Sequence, residues 1–562
     1  PAAAPEHSLL LRKASGQLPH GGGALMKSGD DNHRLIAAWI AQGMPRGDEK
    51  APVVASLEIE PKTRILSKGD SQRLRVIAVY TDGRREDATR HAVFGSNNDD
   101  VAGVEKDGRV RVKQQSGEAA ISARYQAQVA VFRAFVPSIS GQSAKGVSVS
   151  FVRRNLIDDH VAKKWADLGI GPSRPTTDAE FVRRVYLDLA GRFPKPEESA
   201  RFLSSKSSDK RDVLIDELLD GPDYPGLMAM KWGSILQNQR GERNDQAPAT
   251  HAFAAWLRDA FANDMPFDEF VRAILAAAGT PEQNPPSAWY RNLKGREEMA
   301  DAFAQVFLGT RIQCARCHHH PNEKWGQEDY AGLTSFFARV QRKPAGRTTD
   351  GRAYDAITVA RQGVATHPRS GQAVQPHGLD AAPKPVPAGD DPRSRLADWT
   401  TAPENPLFAR ALVNRMWGHL FGRGIVEPVD DFRLTNPPTN PELLDAMVAE
   451  FNRGGRRLKP LLKLMASSAT YQLSSEPTPA NADDRQNYAR YYPRRLPAEI
   501  LSDALDQVTG VATGLSLPAG MRAIDLPDEA GASYLLDVFG RPQRASACEC
   551  ERSSEANLGQ SL

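Results

Sequence analysis

Residues 299–320 read MADAFAQVFLGTRIQCARCHHH, and they indicate the architecture of the central part of the chain. In their first half, apolar residues recur three and four positions apart, at Met299, Phe303, Val306 and Phe307. This spacing predicts an amphipathic helix. Gly309 follows as a turn residue, and a cysteine pair with three histidines comes next. The stretch therefore predicts a helical domain in which one helix leads directly into the cysteine motif.

Cys314 and Cys317 are separated by two residues and are followed at once by His318. This is the spacing of a c-type haem attachment site. Each thiol can add to a porphyrin vinyl group as a thioether, and the adjacent imidazole can then bind the iron as its proximal ligand. The motif predicts haem c held by Cys314, Cys317 and His318, electron transfer as the biochemical role, and a place of action outside the cytoplasm.

A second close pair, Cys548 and Cys550, leaves other interpretations open. The two CxxC thiols and this second pair, with His318 or His320, have the composition of a structural zinc or other metal site, and a disulfide is a further alternative. The chain would then be a non-haem scaffold or binding protein. A four-thiolate zinc site predicts sulfur atoms within about 4 Å of one another, because four bonds of about 2.3 Å meet at one metal. Haem predicts that the two pairs lie well apart.

The second axial ligand of the haem is left undetermined by the sequence. Met299, His320 and His419 are the candidates. His320 is too near His318 to reach the opposite face of the porphyrin easily, and it can instead contact a propionate or a second metal. His419 lies in a helical stretch, where packing is the simpler role. A vacant position would permit peroxidase-like chemistry.

The neighbouring carboxylates Asp430 and Asp431 support a third hypothesis, a carbohydrate-active enzyme. Such an enzyme needs a cleft with an acid and a base about 5 to 10 Å apart, and neighbouring carboxylates can also bind a hard cation such as calcium. Adjacent acidic residues in a loop more often cap a helix or pair with arginines. That structural role is the default interpretation of this pair.

Length and charge exclude several classes of protein. A chain of 562 residues is too long for one hydrophobic core, so about three to five domains are expected. Its 72 basic and 69 acidic residues give a net charge of +3, without the basic stripe of a nucleic-acid-binding protein. No apolar run approaches the roughly 20 residues of a membrane span. The chain begins without Met and shows no signal peptide, so we interpret it as a piece of a longer protein.

Changes in pattern predict five segments. Residues 1–47 are short and helical, and residues 52–138 alternate apolar and polar positions between turn dipeptides, as in a small β-sandwich. Residues 148–340 are helical and contain the CxxCH motif. Residues 341–397, rich in Pro and Gly, are typical of a linker or wrapping arm, and residues 398–562 are helical again. The expected fold is a mainly α multidomain protein with one β-sandwich domain.

Several helix starts are marked locally. Asn405-Pro406 and Asn440-Pro441 each combine a good N-cap residue with a proline suited to the first helical turn. Asp178 is expected to cap a further helix, because it precedes apolar residues at helical spacing. The sequence thus predicts three helix starts, each with a stated capping residue.

Taken together, these segments resemble the large planctomycete cytochrome-like proteins. That family combines a planctomycete-type cytochrome c domain, a bacterial Ig-like domain and two paired domains of unknown function that carry CxxCH and CECER motifs. Residues 6–46 resemble the C-terminal half of the first domain, and residues 52–138 resemble the Ig-like domain. The segments that resemble the paired domains are Asp178–Leu189, Cys314–Trp325, Asn405–Phe408, Val413–Arg415, Phe421–Gly424, Val429–Arg433 and Cys548–Arg552.

The resemblance implies covalent haem c at Cys314, Cys317 and His318, and export to the periplasm or the extracellular space. Residues 1–47 would be a truncated cytochrome c-like domain without its own CxxCH, and His20 would be a candidate distal ligand for the haem of its missing half. The implied partners are a redox protein and, through the Ig-like domain, a glycan or cell surface. The family is associated with bacteria that degrade complex polysaccharides, and a link to that metabolism is an analogy.

Overall fold

A computed structural model describes residues 3–19, 23–48, 50–137, 151–240, 247–347, 353–511, 521–529 and 533–552. The chain is a multidomain protein that combines helices with several small sheets. It divides into two compact units: the first comprises Pro1–Ala55 and Val79–Arg85, and the second comprises Ser56–Ala78 and Glu86–Leu562. None of the helices within the described ranges is both long enough and apolar enough to span a membrane.

The first unit contains two short helices, α1 (Leu9–Ala14) and α2 (Asp31–Ala41). Asp30 begins α2, because its carboxylate accepts a hydrogen bond from the backbone NH of His33 at 2.8 Å. The expectation that His20 ligates a haem falls outside the described residues.

The segment between residues 54 and 136 is built from short strands that form three small sheets. Their orders are β1-β4-β5, β2-β10-β9-β6 and β3-β8-β7. β9 and β10 form the longest hairpin, and β10 also pairs in parallel with β2. Because the strands divide among three sheets, a distinct two-layer sandwich of the Ig type is not evident from their pairing. The strands are β1 (Val54–Glu60), β2 (Thr63–Ile65), β3 (Ser71–Arg73), β4 (Arg75–Tyr80), β5 (Arg85–Asp87), β6 (Val93–Ser96), β7 (Ala102–Val104), β8 (Arg109–Val112), β9 (Gly117–Tyr125) and β10 (Gln128–Val136).

The next part of the chain is helical. α4 begins at Thr177 in a capping box: the Thr177 hydroxyl accepts from the backbone NH of Glu180, and the Glu180 carboxylate accepts from the NH of Thr177. Asp178, expected as the cap, is instead the first helical residue and pairs with Arg211 at 2.8 Å. The helices are α3 (Leu156–Leu168), α4 (Asp178–Ala190), α5 (Pro196–Ser204), α6 (Lys210–Leu219), α7 (Asp223–Ile235), α8 (Ala247–Ala262), α9 (Phe267–Leu275), α10 (Arg296–Phe307) and α11 (Gln327–Ser335).

The segment after α11 contains two hairpins and then runs along the helices. The Arg339 guanidinium donates to the backbone carbonyls of Val386, Pro387 and Asp390 at 2.7 to 3.0 Å, which fixes the proline-rich stretch against the end of α11. Buried Arg393 donates to the carbonyl of Ala277 at 2.8 Å. The strands are β11 (Val340–Arg347), β12 (Ala353–Val359), β13 (Ala365–Thr366) and β14 (Ala373–Val374).

The last part of the chain is helical as well, and two of its helix starts confirm the sequence-based expectation. The Asn405 side chain accepts from the NH of Leu407 at 2.9 Å, and the Asn440 side chain accepts from the NH of Leu443 at 3.1 Å. A proline follows each cap at the first helical position. The helices are α12 (Pro392–Thr401), α13 (Pro406–Phe421), α14 (Pro441–Arg453), α15 (Leu458–Ala466), α16 (Ala498–Thr509) and α17 (Tyr534–Val538).

One apolar core is shared by both helical parts. A continuous cluster of buried side chains extends from Ile157 in α3 to Ala547 near the end of the described chain. Buried Asp158 in α3 strengthens this connection, since its carboxylate accepts from the backbone NH groups of Ala469 and Thr470 at 3.0 and 2.9 Å. The two helical parts therefore fold around common apolar contacts.

Candidate functional site

Gly309 anchors the loop that follows α10. Its φ of 62° lies in the left-handed region, and a Cβ at this position would lie 2.9 Å from the Phe432 ring and 3.0 Å from the Ala411 side chain. The Gly309 carbonyl also accepts from the NH of Phe432 at 2.8 Å. Only glycine satisfies both the conformation and the close approach. The loop with the CxxCH motif therefore starts from a point fixed against α13 and the segment that follows it.

Two of the three consecutive histidines hold this loop closed. The ring of His320 bridges its two sides: Nε2 donates to the carbonyl of Arg311 at 3.1 Å, and Nδ1 accepts from the NH of Asn322 at 3.1 Å. Burial lowers the pKa of His320, which favours the neutral ring that this donor–acceptor pattern requires. Nε2 of His319 donates to the carbonyl of Lys324 at 3.1 Å. His319 and His320 therefore act as internal hydrogen-bonding groups of the loop.

His318 differs from its two neighbours. Like His319 it is exposed, but its Nδ1 donates to the carbonyl of His319 at 2.7 Å, and its Nε2 makes no hydrogen bond to any described residue. Cys314 and Cys317 beside it are exposed free thiols. The turn is held by Gln327, whose amide donates to the carbonyl of Cys317 at 2.9 Å. A histidine whose second ring nitrogen donates to a backbone carbonyl is oriented as metal-ligating histidines commonly are, so these three side chains fit covalent haem.

The side chains expected as second axial ligands are engaged elsewhere. Met299 is buried in α10, and both ring nitrogens of His320 are hydrogen-bonded. His419, at the end of α13, donates from Nε2 to the carbonyl of Asp188 at 2.9 Å. Each of these contacts would have to be given up if the residue moved toward an iron bound at His318.

The second cysteine pair is not in the same chemical state as the first. Cys548 is disulfide-bonded, whereas Cys314 and Cys317 are free thiols. Nη2 of Arg311 lies 3.5 Å from the Cys548 sulfur, and the side chain of Cys550 lies outside the described part of the structure. A four-thiolate zinc site would require this disulfide to be reduced. Across the described ranges, no group of three or more His, Cys, Asp and Glu side chains is placed to hold a metal.

The carboxylates of the third hypothesis are both paired with arginines. Asp430 is buried, and it accepts from Arg311 at 2.6 Å and from the amide of Gln305 at 2.6 Å. Asp431 forms an ion pair with Arg433 at 3.0 Å. These contacts tie the loop after α13 to α10 and to the start of the CxxCH loop, which is the structural role expected by default for adjacent acidic residues.

A cleft of about 630 Å³ opens between the two helical parts. Segments that are far apart in sequence line it, and they include most of those that carry the resemblance to the paired domains. Each of these segments contributes a charged or titratable side chain to the cleft: Asp188 from α4, Lys231 from α7, His419 from α13, Arg423 from the loop after α13, and Glu549 near the end of the described chain. The fold therefore gathers these side chains around one concave surface.

Glu549 is the central acidic group of this cleft. Its carboxylate lies 2.8 Å from Nζ of Lys231 and 3.4 Å from Nη1 of Arg415, which is wholly buried. Burial opposes ionisation of Glu549, but the positive charges of Lys231 and Arg415 outweigh it and lower the pKa of Glu549 to about 2. Glu549 is thus a carboxylate held by two cations.

His419 is the neutral basic group of the cleft. Its pKa is held well below its usual range by burial, and further by the positive charges of Lys231 and Arg494. A carbonyl oxygen can only accept, so Nε2 must donate to the carbonyl of Asp188, and Nδ1 is the nitrogen with a lone pair. Buried Asp188 itself accepts from the hydroxyl of Tyr471 at 2.7 Å and contacts Arg494. This network fixes the tautomer and the orientation of His419.

Arg423 is a cation of the cleft that forms no ion pair within 4 Å of a described carboxylate, although its charge acts on Glu427. It is half-buried, and its Nε is shielded from solvent yet has no hydrogen-bond partner in the part of the chain that the structure covers. The nearby carboxylate of Glu427 accepts instead from the NH of Gly424 at 2.8 Å. Burial raises the pKa of Glu427, which weakens it further as a counter-ion for Arg423.

Sequence reasoning missed the cleft, although part of its signal was present. Lys231 is a lone charge within the apolar stretch Met228–Gly233, and a single lysine in such a stretch indicates either a helix edge or a buried functional group. Its partner Glu549 is 318 residues away in sequence. No local pattern connects residues at that separation.

Comparison with known families supports the division of the helical chain. Residues 156–342 match the family described as PSCyt2: Protein of unknown function (DUF1549), and residues 392–562 match PSD1: Protein of unknown function (DUF1553). The chain therefore carries these two domains of unknown function, as the resemblance implied. No curated protein matches the chain.

Proposed function

We propose that the chain is an exported, c-type cytochrome-like protein that binds haem c covalently and transfers electrons. Cys314 and Cys317 would form the thioether bonds, and His318 would bind the iron through Nε2. One observation carries this proposal: of the three consecutive histidines, His318 alone combines exposure with a hydrogen-bonded Nδ1 and a free Nε2, directly beside two exposed free thiols.

The construction of the loop supports this assignment. His320 and His319 close the loop through backbone carbonyls on either side, so the turn that carries the thiols is supported before any cofactor is attached. The side chain of Ala315 is buried and holds the turn against the protein interior, whereas the two thiols and His318 are exposed. Bound haem c would supply one-electron redox chemistry, and its surface position would suit transfer to a separate redox protein.

The remaining parts of the proposal concern the flanking segments. Residues 1–47 would be the C-terminal part of a cytochrome c-like domain, and residues 52–138 would be an Ig-like spacer able to contact a glycan, a cell surface or a partner. The place of action would be the periplasm or the extracellular space, and the link to polysaccharide metabolism is an analogy.

The alternative function is a non-haem scaffold or binding protein. The apolar core shared by both helical parts favours it, because that core joins the two parts without a cofactor. A structural zinc at the thiols remains part of that alternative. A carbohydrate-active enzyme using Asp430 and Asp431 has less support, because both carboxylates are paired with arginines.

Production of the exported protein in a host with haem c maturation separates these functions. The pyridine haemochrome spectrum of the wild-type protein is expected to show covalent haem, and Cys314→Ser, Cys317→Ser and His318→Ala are expected to lose it. His319→Gln is the matched control, because glutamine can still donate to the carbonyl of Lys324. A wild-type protein with stoichiometric zinc and without covalent haem would refute the cytochrome proposal and favour the scaffold.

A further inference from the structure

We propose that the cleft between the two helical parts binds a small molecule that carries an oxyanion group, and that Arg423 contacts this oxyanion. The site is distinct from the CxxCH loop and uses none of its thiols. This proposal can therefore be tested independently of the haem proposal.

The size of the cleft suits such a ligand. Its volume of about 630 Å³ lies within the range of about 300 to 1,000 Å³ that is usual for small-molecule sites. Apolar side chains such as Met230, Ile235 and Leu496 share the lining with the charged groups. The apolar side chains can contact the carbon skeleton of an organic molecule, and the charged groups can bind and orient its polar end.

The charge of the cleft favours an anion. Five cationic and four acidic side chains line it. Two of the four acids are also paired with arginines outside the lining: Arg311 binds Asp430 at 2.6 Å, and Arg415 approaches Glu549 to 3.4 Å. Glu499, which also lies outside the lining, pairs with Arg552, so these outside partners together leave the cleft with a positive excess.

Arg423 supplies the specific contact. Three of the other four lining cations, Lys231, Arg494 and Arg552, are paired with Glu549, Asp188 and Glu499. For Arg423, by contrast, no ion pair or hydrogen bond of its guanidinium is found among the described residues, and its Nε is shielded from solvent. A shielded donor without a partner is unfavourable. Arg423 lines the cleft without a matched acid, and its planar guanidinium suits carboxylate, sulfate and phosphate oxygens in a bidentate manner.

His419 provides a second, neutral contact. Its Nε2–H is engaged by the Asp188 carbonyl, so Nδ1 can only accept a hydrogen bond. A hydroxyl group near the oxyanion is the complementary donor. The favoured ligand class is therefore an anionic molecule that also carries a hydroxyl group.

Titration calorimetry of the purified full chain tests this site with sodium sulfate, sodium phosphate and sodium acetate, each against sodium chloride at equal ionic strength. At least one of the three anions is expected to bind saturably at one site. A preference for sulfate and phosphate would support a sulfate or phosphate ester as the ligand group, and a preference for acetate would support a carboxylate.

Arg423→Gln is expected to weaken binding of that anion about tenfold or more, because it removes a charge-assisted contact. Arg423→Lys is expected to retain part of the affinity. Arg410→Gln is the matched control, since Arg410 lies on α13 but pairs with Asp445 outside the cleft. Cys314→Ser should bind as the wild type does, which separates this site from the haem proposal. Absence of saturable binding by all three anions, or equal binding by wild type and a folded Arg423→Gln, would overturn the proposal.

Discussion

Replacement of Glu549 by glutamine tests whether the charge cluster of the cleft is organised as described. The substitution keeps the size of the side chain but removes its charge, so Lys231 and wholly buried Arg415 lose their counter-ion. Breaking a buried pair by removing one partner destabilises a protein by about 3 to 5 kcal/mol. The side chains of Glu549 and Lys231 are 24% and 19% exposed, so we expect a destabilisation at the lower end of this range, about 3 kcal/mol.

The lowered pKa of Glu549 predicts a loss of stability of similar size. It is lowered from 4.5 to about 2 in the folded protein, and each pKa unit corresponds to about 1.4 kcal/mol, so ionisation of this group contributes about 3 kcal/mol. Because the folded-state pKa is depressed, this stability is present above about pH 4.5 and is lost as the pH falls toward 2. The difference between wild type and Glu549→Gln should therefore be largest near neutral pH and should shrink over that interval.

Urea unfolding followed by tryptophan fluorescence at several pH values measures this difference. Lys231→Met should lower the free energy of unfolding by only about 1 to 2 kcal/mol, because Glu549 keeps Arg415 as a partner. Glu442→Gln is the matched control: Glu442 is 60% exposed, and its solvent-screened pair with Lys163 contributes little to stability. The reasoning is refuted if the Glu549→Gln difference is constant between pH 7 and 2.5, or if Lys231→Met destabilises more than Glu549→Gln.

Other substitutions test separate parts of the structure. Gly309→Ala should lower the free energy of unfolding by about 2 kcal/mol, because it places a Cβ 2.9 Å from an aromatic ring at a positive φ. Gly371→Ala is the control and should have a smaller effect, because the space around Gly371 is open. Similar losses of stability in the two variants would count against the close approach at Gly309. Tyr471→Phe should destabilise by about 1 to 2 kcal/mol, since it removes the hydroxyl that donates to buried Asp188; an unchanged urea midpoint would contradict this contact. His320→Ala should increase amide hydrogen exchange in the CxxCH loop of the haem-free protein, whereas His318→Ala should leave it unchanged. Faster exchange in His318→Ala than in His320→Ala would refute the loop-closing role of His320.

Local chemistry made part of this structure predictable. Asn405 and Asn440 cap their helices as expected, because an N-cap side chain and a following proline act within a few residues. The helix before the CxxCH motif and the turn at Gly309 were predictable for the same reason. The expected cap at Asp178 was wrong by one residue, since Thr177 forms the capping box with Glu180.

Long-range contacts were beyond such reasoning. The ion pair between Lys231 and Glu549 and the contact between Asp188 and Arg494 join residues about 300 positions apart. Sequence patterns report neighbours at helical or strand spacing, and these contacts depend on the packing of whole helices. The Ig-like sandwich was expected from alternation alone, and alternation does not determine how strands divide among sheets. The different states of three consecutive histidines likewise depend on carbonyls that only the folded loop brings near.

Peptide mass spectrometry of the exported, matured protein tests the central claim most directly. The protein is alkylated under denaturing, non-reducing conditions and digested, and the peptide that contains Cys314 and Cys317 is identified. We predict that this peptide carries one haem on both cysteines and that neither sulfur is alkylated. Recovery of the peptide with both cysteines alkylated, and without any haem-bearing form, would contradict the account.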